Sequence, residues 1–194
     1  MSKLTCYIDG SEVETGENTI RQGWGILALH TVGQTNEIRG CIEHGLKEAK
    51  MRGFFELLAF YNTICYAEKL GLVPEEVSIY SDCDFITDSG FHLFKQNYSG
   101  QKIAIFKRLQ LFQKMFYPTH KHVAMRMIRW LVGTQMHWTK AHNYDVNNCR
   151  VDYLARSAAK NKKAISFSTW LKFGFHKFDR EKNAVTHFQM PFVK

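Results

Sequence analysis

Four acidic residues lie where a charged side chain is costly to bury, and they are the first candidates for chemistry in this chain. Asp9 and Asp82 each follow an apolar-rich segment, Glu56 lies inside the apolar run 54–60, and Asp152 lies beside the apolar seam of a predicted helix. A buried carboxylate is unfavourable unless a cation or a hydrogen-bond donor accompanies it. We therefore expect each of the four to have such a partner.

Each acid taken singly also has an ordinary structural explanation. Two of them suit turns or caps, and two suit ion pairs with a residue four positions away on a helix. The candidate arrangements are Asp9 in a turn before Gly10, Asp82 capping a following helix, Glu56 paired with Arg52, and Asp152 paired with Arg156. These explanations stay open for each residue, but they weaken when all four must hold at once.

The elements that must position these acids begin with an antiparallel meander. Residues of alternating or apolar character predict three strands joined by short turns, over residues 4–9, 23–32 and 37–44. The predicted first strand ends at Asp9, because Gly10 and Ser11 follow it. A sheet of this kind has its early strands paired in sequence order.

A long helix and a fourth strand follow the meander. Apolar residues recur at three- and four-residue intervals over residues 51–70, and Gly71 ends this helix. The strand predicted over residues 77–82 comes after a helix, so it is a plausible parallel neighbour of the first strand. In that case Asp9 and Asp82 meet at one carboxyl edge of the sheet, where open α/β sheets bind ligands.

The second half of the chain is predicted to be mainly helical. Basic amphipathic helices are expected over residues 102–116 and 121–131, a short fifth strand over 135–140, and a last helix over 147–160. Asn147 or Asn148 is the predicted N-cap of the last helix.

Charge is distributed unevenly along the 194 residues, whose net charge is +8. Residues 1–100 carry eight Lys and Arg against 14 Asp and Glu, whereas residues 101–194 carry 18 against four. A basic region joined to an acidic one suggests that a polyanion is held by one while carboxylates of the other act on it. A solvated basic face is the alternative.

Composition also limits the class of protein. With 45% apolar residues the chain can bury a core, and no apolar run reaches the roughly 18 residues that a spanning helix needs. The five cysteines are widely spaced and contain no C-x-x-C pair, which suggests reduced thiols rather than a disulfide framework or a zinc site. We expect a soluble, cytoplasmic protein.

Five short segments occur in a fixed order along the chain. They are YIDGS at 7–11, Glu56 on its apolar helix, IYSD at 79–82, WTKAH at 138–142 and NCRVDYLAR at 148–156. Together they resemble the motifs of type 1 ribonuclease H over residues 4–160. The resemblance implies an α/β fold with a mixed five-stranded sheet, its first three strands antiparallel, and helices on both faces.

The resemblance also implies a catalytic site. Asp9, Glu56, Asp82 and Asp152 match the four carboxylates that hold two divalent metal ions, with Asp9 bridging them and Asp152 on the second. The ions would be Mg²⁺, with Mn²⁺ as a substitute. His142 matches a loop histidine that assists proton transfer or product release. Hard carboxylate oxygens suit Mg²⁺, and two such ions favour in-line displacement at phosphorus.

Nucleic-acid contacts are predicted at nine positions of small or basic residues: Gly10, Ser11, Arg52, Cys83, Lys102, Lys107, Arg108, Lys114 and Lys140. Their lysines and arginines would give affinity that is independent of sequence and sensitive to salt. The chain departs from the family where Arg52 and Gly53 replace asparagines and Asp84 replaces a glutamine. These departures alter the expected recognition of the hybrid.

The resemblance leads to a domain and function hypothesis. Residues 1–160 would form an RNase H-like catalytic domain with a basic helical insertion around 90–120, and residues 161–194 a basic, aromatic C-terminal extension. The expected activity is endonucleolytic cleavage of the RNA strand of RNA–DNA hybrids, giving 5′-phosphate and 3′-hydroxyl ends. Alternatives are a DNA nuclease of the same fold, resembling resolvases or transposases, or a non-catalytic nucleic-acid-binding protein. No obligate protein partner or membrane association is indicated.

Overall fold

A mixed five-stranded sheet lies at the centre of the structure. The computed structural model describes residues 3–16, 19–45, 53–84, 86–87, 99–140 and 145–160. The strands are β1 Leu4–Gly16, β2 Thr19–His30, β3 Thr35–Gly45, β4 Val77–Ser81 and β5 Gln135–Trp138. Their order is β3-β2-β1-β4-β5, with β1, β2 and β3 antiparallel and β4 parallel to both β1 and β5. The predicted mixed sheet is confirmed.

The first strand is longer than its sequence pattern predicts. The prediction that it ends at Asp9 is wrong, because the antiparallel ladder with β2 continues through Gly10 and the strand ends at Gly16. The parallel ladder with β4 stops earlier, at Tyr7 and Tyr80. Asp9 therefore lies inside β1 but just beyond its parallel pairing, at the edge of the sheet where β4 ends.

Four longer helices are described, and two of them cover opposite faces of the sheet. They are α1 Phe54–Lys69, α2 Ser99–Phe116, α3 Val123–Gly133 and α4 Val146–Ala159. A Cβ added to Gly10 would lie 2.5 Å from the backbone of Phe55 in α1, whereas one added to Gly25 would lie 2.6 Å from the Val151 carbonyl in α4. Gly25 pairs with Asp9 and so faces away from Gly10, which puts α1 and α4 on different sides.

Two further helices pack against α1 and fix its position. The Phe112 ring of α2 lies 6.0 Å from the Phe54 ring and 6.2 Å from the Tyr61 ring, measured between centroids. From α3, the Arg126 guanidinium donates a hydrogen bond to the Tyr61 hydroxyl at 3.0 Å and forms an ion pair with Glu68. These contacts hold the helix that carries Glu56 against the sheet.

The ends of two helices show where local sequence signals predict a helix boundary and where they do not. Gly71 has a φ of 75° and follows the end of α1, as its sequence predicts. The prediction of Asn147 or Asn148 as the N-cap of α4 is wrong. Asp145 is the cap, and its carboxylate accepts hydrogen bonds from both asparagine backbone N–H groups, at 2.8 and 3.1 Å.

Parts of the domain prediction lie outside the described residues. They include residues 90–98 of the predicted insertion and the whole extension 161–194. Within the described part of the chain, no helix has the length and apolar character needed to cross a membrane.

Candidate active site

Three acidic side chains from three different elements meet at one edge of the sheet. Asp9 comes from the middle of β1, Glu56 from the first turn of α1, and Asp82 from the residue after β4. One carboxylate oxygen of each lies within 4.8 Å of the other two. The structure thus brings together three of the four acids that the sequence singles out, and the fourth lies beside them.

Asp152 completes the group from α4. It lines the same pocket as the other three acids and is 5% exposed. The Arg156 Nε, one turn further along α4, donates a hydrogen bond to Asp152 Oδ1 at 2.7 Å. The ion pair considered for Asp152 from its sequence spacing is therefore present, yet the residue still faces the acid cluster.

Local contacts hold each acid in place. The Gly10 N–H donates to Asp9 Oδ1 at 2.8 Å. Glu56 lies in the first turn of α1, where the positive end of the helix dipole favours a carboxylate. The amide of Asn148, on α4, is 3.5 Å from Asp82 Oδ2. These supports come from three elements, β1, α1 and α4. The site therefore depends on the whole fold.

Electrostatics in the cluster disfavour four negative charges. Burial, and then repulsion from Glu56, Asp152 and Asp82, raises the pKa of Asp9 well above its ordinary value. Burial and the charge of Asp82 likewise raise the pKa of Glu56 well above its ordinary value. Both effects oppose ionisation, and a bound cation would reverse them because it stabilises the charged carboxylates.

Unsatisfied oxygen atoms point to the same conclusion. Glu56 Oε2 and Asp152 Oδ2 are buried and accept no hydrogen bond in the structure. Buried acceptors are normally paired with a donor or a cation. Carboxylate oxygens without such partners, set among further carboxylates, fit a site for hard divalent cations. The cluster is therefore able to hold metal.

The acids line a pocket with a volume of about 410 Å³. Its walls come from β1, from the start of α1, from the residue after β4 and from α4. The lining residues are Asp9, Gly10, Ser11, Glu12, Val13, Phe55, Glu56, Asp82, Asp152, Arg156 and Lys160.

Comparison with known proteins decides the family. The sequence model of the RNase H family matches residues 1–160. The chain belongs to the RNase H family. No curated protein matches the chain.

Solved structures show the same fold as this chain. One is the native protease-reverse transcriptase of prototype foamy virus, at 16% identity and a TM-score of 0.52, over 84% of this chain and 21% of that one. Another is a foamy viral protease-reverse transcriptase in complex with dsDNA, at 14% identity and a TM-score of 0.52, over 82% of this chain and 96% of that one. The chain thus spans about a fifth of the length of the first protein.

The predicted nucleic-acid contacts of this chain fall into two groups. Gly10 and Ser11 line the pocket directly. The basic side chains are elsewhere: Lys107 and Lys114 are exposed on α2, Arg108 is half-buried on α2, and Lys140 is exposed after β5. The Arg108 Nη1 lies 3.9 Å from the position of a Cβ on Gly53, which places it beside the start of α1.

Cys83 is half-buried directly after Asp82. Burial, and then the charge of Glu56, raises the pKa of its thiol to about 12. The thiol therefore stays protonated at neutral pH. Asp84, two residues beyond Asp82, is exposed and helical.

Three predicted residues have no described side chain. His142 and Arg52 lie outside the described residues, and the same holds for the side chain of Lys102 on α2. The ion pair between Glu56 and Arg52 that the sequence allows therefore stays a prediction.

Sequence reasoning missed three residues, of which Arg156 and Lys160 line the pocket and Asn148 contacts Asp82. Arg156 was considered only as a structural partner of Asp152, Asn148 only as a cap, and Lys160 only as the end of a helix. Arg156 and Lys160 follow Asp152 by four and eight residues. These spacings place Asp152, Arg156 and Lys160 near one side of α4. That spacing is the signal that could have found them.

Proposed function

We propose that this protein cleaves the RNA strand of RNA–DNA hybrids in a reaction that requires divalent metal ions. The observation that supports the proposal is the convergence of Asp9, Glu56 and Asp82, with Asp152 beside them, in a chain of the RNase H family. Hydrolysis would give 5′-phosphate and 3′-hydroxyl ends.

The four acids would hold two Mg²⁺ ions, with Mn²⁺ as a substitute. Such ions supply an activated water molecule and stabilise charge on the leaving oxygen of an in-line displacement. The central position of Asp9 among the acids supports its role as a metal ligand, because its charge interacts with those of Glu56, Asp152 and Asp82. Asp152 offers its unpaired Oδ2, while Arg156 fixes its Oδ1.

Proton transfer is assigned to His142. His142 precedes Asp152 by ten positions. Its segment resembles the one that carries the loop histidine of the family. A neutral imidazole has a pKa suited to exchanging a proton with water or with the leaving group near neutral pH. Its loss should slow turnover less than the loss of an acid does.

Substrate contacts would come from the pocket wall and from α2. Gly10 and Ser11 present backbone groups and a small hydroxyl to the strand being cut, which suits recognition of 2′-hydroxyls in a shallow minor groove. Lys107, Arg108 and Lys114 would bind phosphates further along the duplex. Residues 1–160 would form the catalytic domain, with α2 in its basic helical insertion around 90–120, and residues 161–194 a basic extension.

The decisive experiment offers one end-labelled sequence as RNA–DNA hybrid, double-stranded DNA, double-stranded RNA and single-stranded RNA. Each is incubated with Mg²⁺, Mn²⁺ or EDTA, using the wild type, Asp9→Asn and Asp82→Asn. We expect RNA-strand cleavage of the hybrid only, lost in EDTA and in both variants, with hybrid binding retained. Metal-dependent cutting of DNA would indicate a DNA nuclease of the same fold instead.

Two other results would contradict the proposal. Full activity of either Asp variant would exclude the acid cluster as the catalytic site. Binding of the substrates without cleavage of any of them would identify a nucleic-acid-binding protein that has kept the fold.

A further inference from the structure

The pocket extends beyond the acid cluster as a groove between β1 and α4. Its far part is lined by Glu12 and Val13 on the strand side and by Arg156 and Lys160 on the helix side. Lys160 follows Asp152 by eight residues, which corresponds to about 12 Å along a helix. The groove therefore continues well past the atoms that would contact the bond being cut.

The two cations in this groove are in different situations. Arg156 is bonded to Asp152 and so is part of the acid cluster. Lys160 is exposed, and within the described residues its ammonium group makes no ion pair. An ammonium group at the end of a groove that begins at a phosphodiester-cleaving site is suited to a second phosphate of the same strand.

We infer that Lys160 binds a backbone phosphate of the cleaved strand, a short distance from the bond that is hydrolysed. The inference rests on the proposed function for the position of the strand. It adds a binding residue and the direction of the bound strand, which would run from the acids along α4 toward the C-terminal end of that helix. Ser11, Glu12 and Val13 form the opposite wall of its path.

A second role of Lys160 in the fold bears on this contact. Lys160 also caps the C-terminal end of α4, where a positive charge stabilises the helix dipole. A purely structural role of Lys160 in α4 is therefore the alternative that an experiment must separate from phosphate binding.

The test measures hybrid binding by wild type, Lys160→Gln and Lys160→Arg in EDTA, where no cleavage occurs. Lys69→Gln is the matched control, because Lys69 is an exposed lysine in the last turn of α1, far from Glu56 in the first. We expect Lys160→Gln to bind about three- to tenfold more weakly and to lower the slope of log Kd against log salt by about 0.7 to 0.9. Lys160→Arg and Lys69→Gln should bind like the wild type.

A second measurement identifies the phosphate. Single phosphates of the cleaved strand are replaced in turn by uncharged methylphosphonates, and each hybrid is measured with wild type and Lys160→Gln. One position should weaken binding by the wild type but have no further effect on Lys160→Gln, because both changes remove the same contact. Additive effects at every position, or an unchanged salt slope for Lys160→Gln, would overturn the inference.

These outcomes separate the inference from the proposed function. A wild type that cuts no hybrid, together with a Lys160→Gln variant that loses one phosphate contact, would refute the activity and keep the binding residue. A hybrid nuclease whose Lys160→Gln variant loses thermal stability but binds normally would keep the activity and assign Lys160 to the helix end alone.

Discussion

Asn148 shows how a single side chain can link two parts of the active site. Only 3% of the residue is exposed, its amide nitrogen lies 3.5 Å from Asp82 Oδ2, and its Oδ1 is buried without a hydrogen bond. The nitrogen helps to orient a carboxylate of the cluster. Asn148 is therefore a positioning residue for Asp82.

We predict that Asn148→Ala lowers the affinity for Mg²⁺ by about 10- to 100-fold, because partners that orient metal ligands typically contribute that much. Calorimetric titration of the metal-free protein with Mg²⁺ measures the change directly. Asn62→Ala is the control, since the Asn62 amide donates a hydrogen bond to the Leu58 carbonyl of its own helix. An Asn148→Ala affinity equal to that of Asn62→Ala would exclude the positioning role.

The acids could be recognised from sequence but their supports could not. Asp9, Glu56, Asp82 and Asp152 stand out because carboxylates beside apolar residues need partners, and this depends only on their neighbours in the chain. The role of Asn148 depends on which residue caps α4. Asp145 takes that position with extended backbone angles of −66° and 112°, which frees the Asn148 side chain to reach Asp82.

At the scale of elements, the position of Asp152 depends on how closely α4 approaches the sheet. A Cβ on Gly25 would lie 2.6 Å from the Val151 carbonyl and 2.9 Å from the Leu154 Cβ. Gly25 also pairs with Asp9 across the β1–β2 ladder. The same close packing therefore sets the distance between the acid on the strand and the acid on the helix.

We predict that Gly25→Ala destabilises the fold by about 1–3 kcal/mol, because backbone atoms of α4 must move to admit a methyl group. The shift also carries Asp152 away from Asp9, so Mg²⁺ affinity should fall. Urea unfolding and calorimetric titration measure the two effects. Gly33→Ala is the control: its φ of 84° makes it strained by about 1–2 kcal/mol, but nothing lies within 4 Å of the added methyl. A Gly25→Ala protein with unchanged metal affinity would contradict this account.

Glycine also explains why the length of β1 was mispredicted. Gly10 looks like a strand terminator in the sequence, since glycine usually ends or weakens a strand. In the structure it lies within the ladder, where a Cβ would meet the Phe55 backbone at 2.5 Å. The element types followed from hydrophobic periodicity, but a glycine required by tertiary packing has the same local appearance as one required by a turn.

At the scale of the whole molecule, the proposed function assigns catalysis to the acidic cluster and binding to the basic surface helices. Residues 101–194 carry 18 Lys and Arg against four Asp and Glu, and Lys107 and Lys114 of α2 are exposed. Asp152 is one of those four acids, although the other three of the cluster belong to the acidic half. The two halves of the sequence thus differ in charge as their composition predicts. The acid cluster, however, takes one of its residues, Asp152, from the basic half.

The acid cluster should make the stability of the metal-free protein depend on pH. Burial and mutual repulsion raise the pKa values of Asp9 and Glu56 in the folded state, whereas an unfolded chain has ordinary values near about 4. At a pH between the ordinary and the raised pKa values, the folded protein binds more protons than the unfolded chain. The contribution of Asp9 and Glu56 to stability is therefore fully present below about pH 4 and is lost as pH rises through their raised pKa values.

We predict that the contribution of the cluster in EDTA falls from pH 5 to pH 8, and that Mg²⁺ restores stability most at the higher pH, where cations replace the lost protons. Urea unfolding of wild type and Asp9→Asn at each pH isolates this effect from other titrating groups, which are the same in both proteins. Asp9→Asn should lose less stability with rising pH and gain less from Mg²⁺, because one of the repelling charges is gone. Parallel pH profiles for the two proteins would mean that the four acids do not share one electrostatic site. The effect of Mg²⁺ on stability in the same experiment would then distinguish a structural cluster from a metal-binding one.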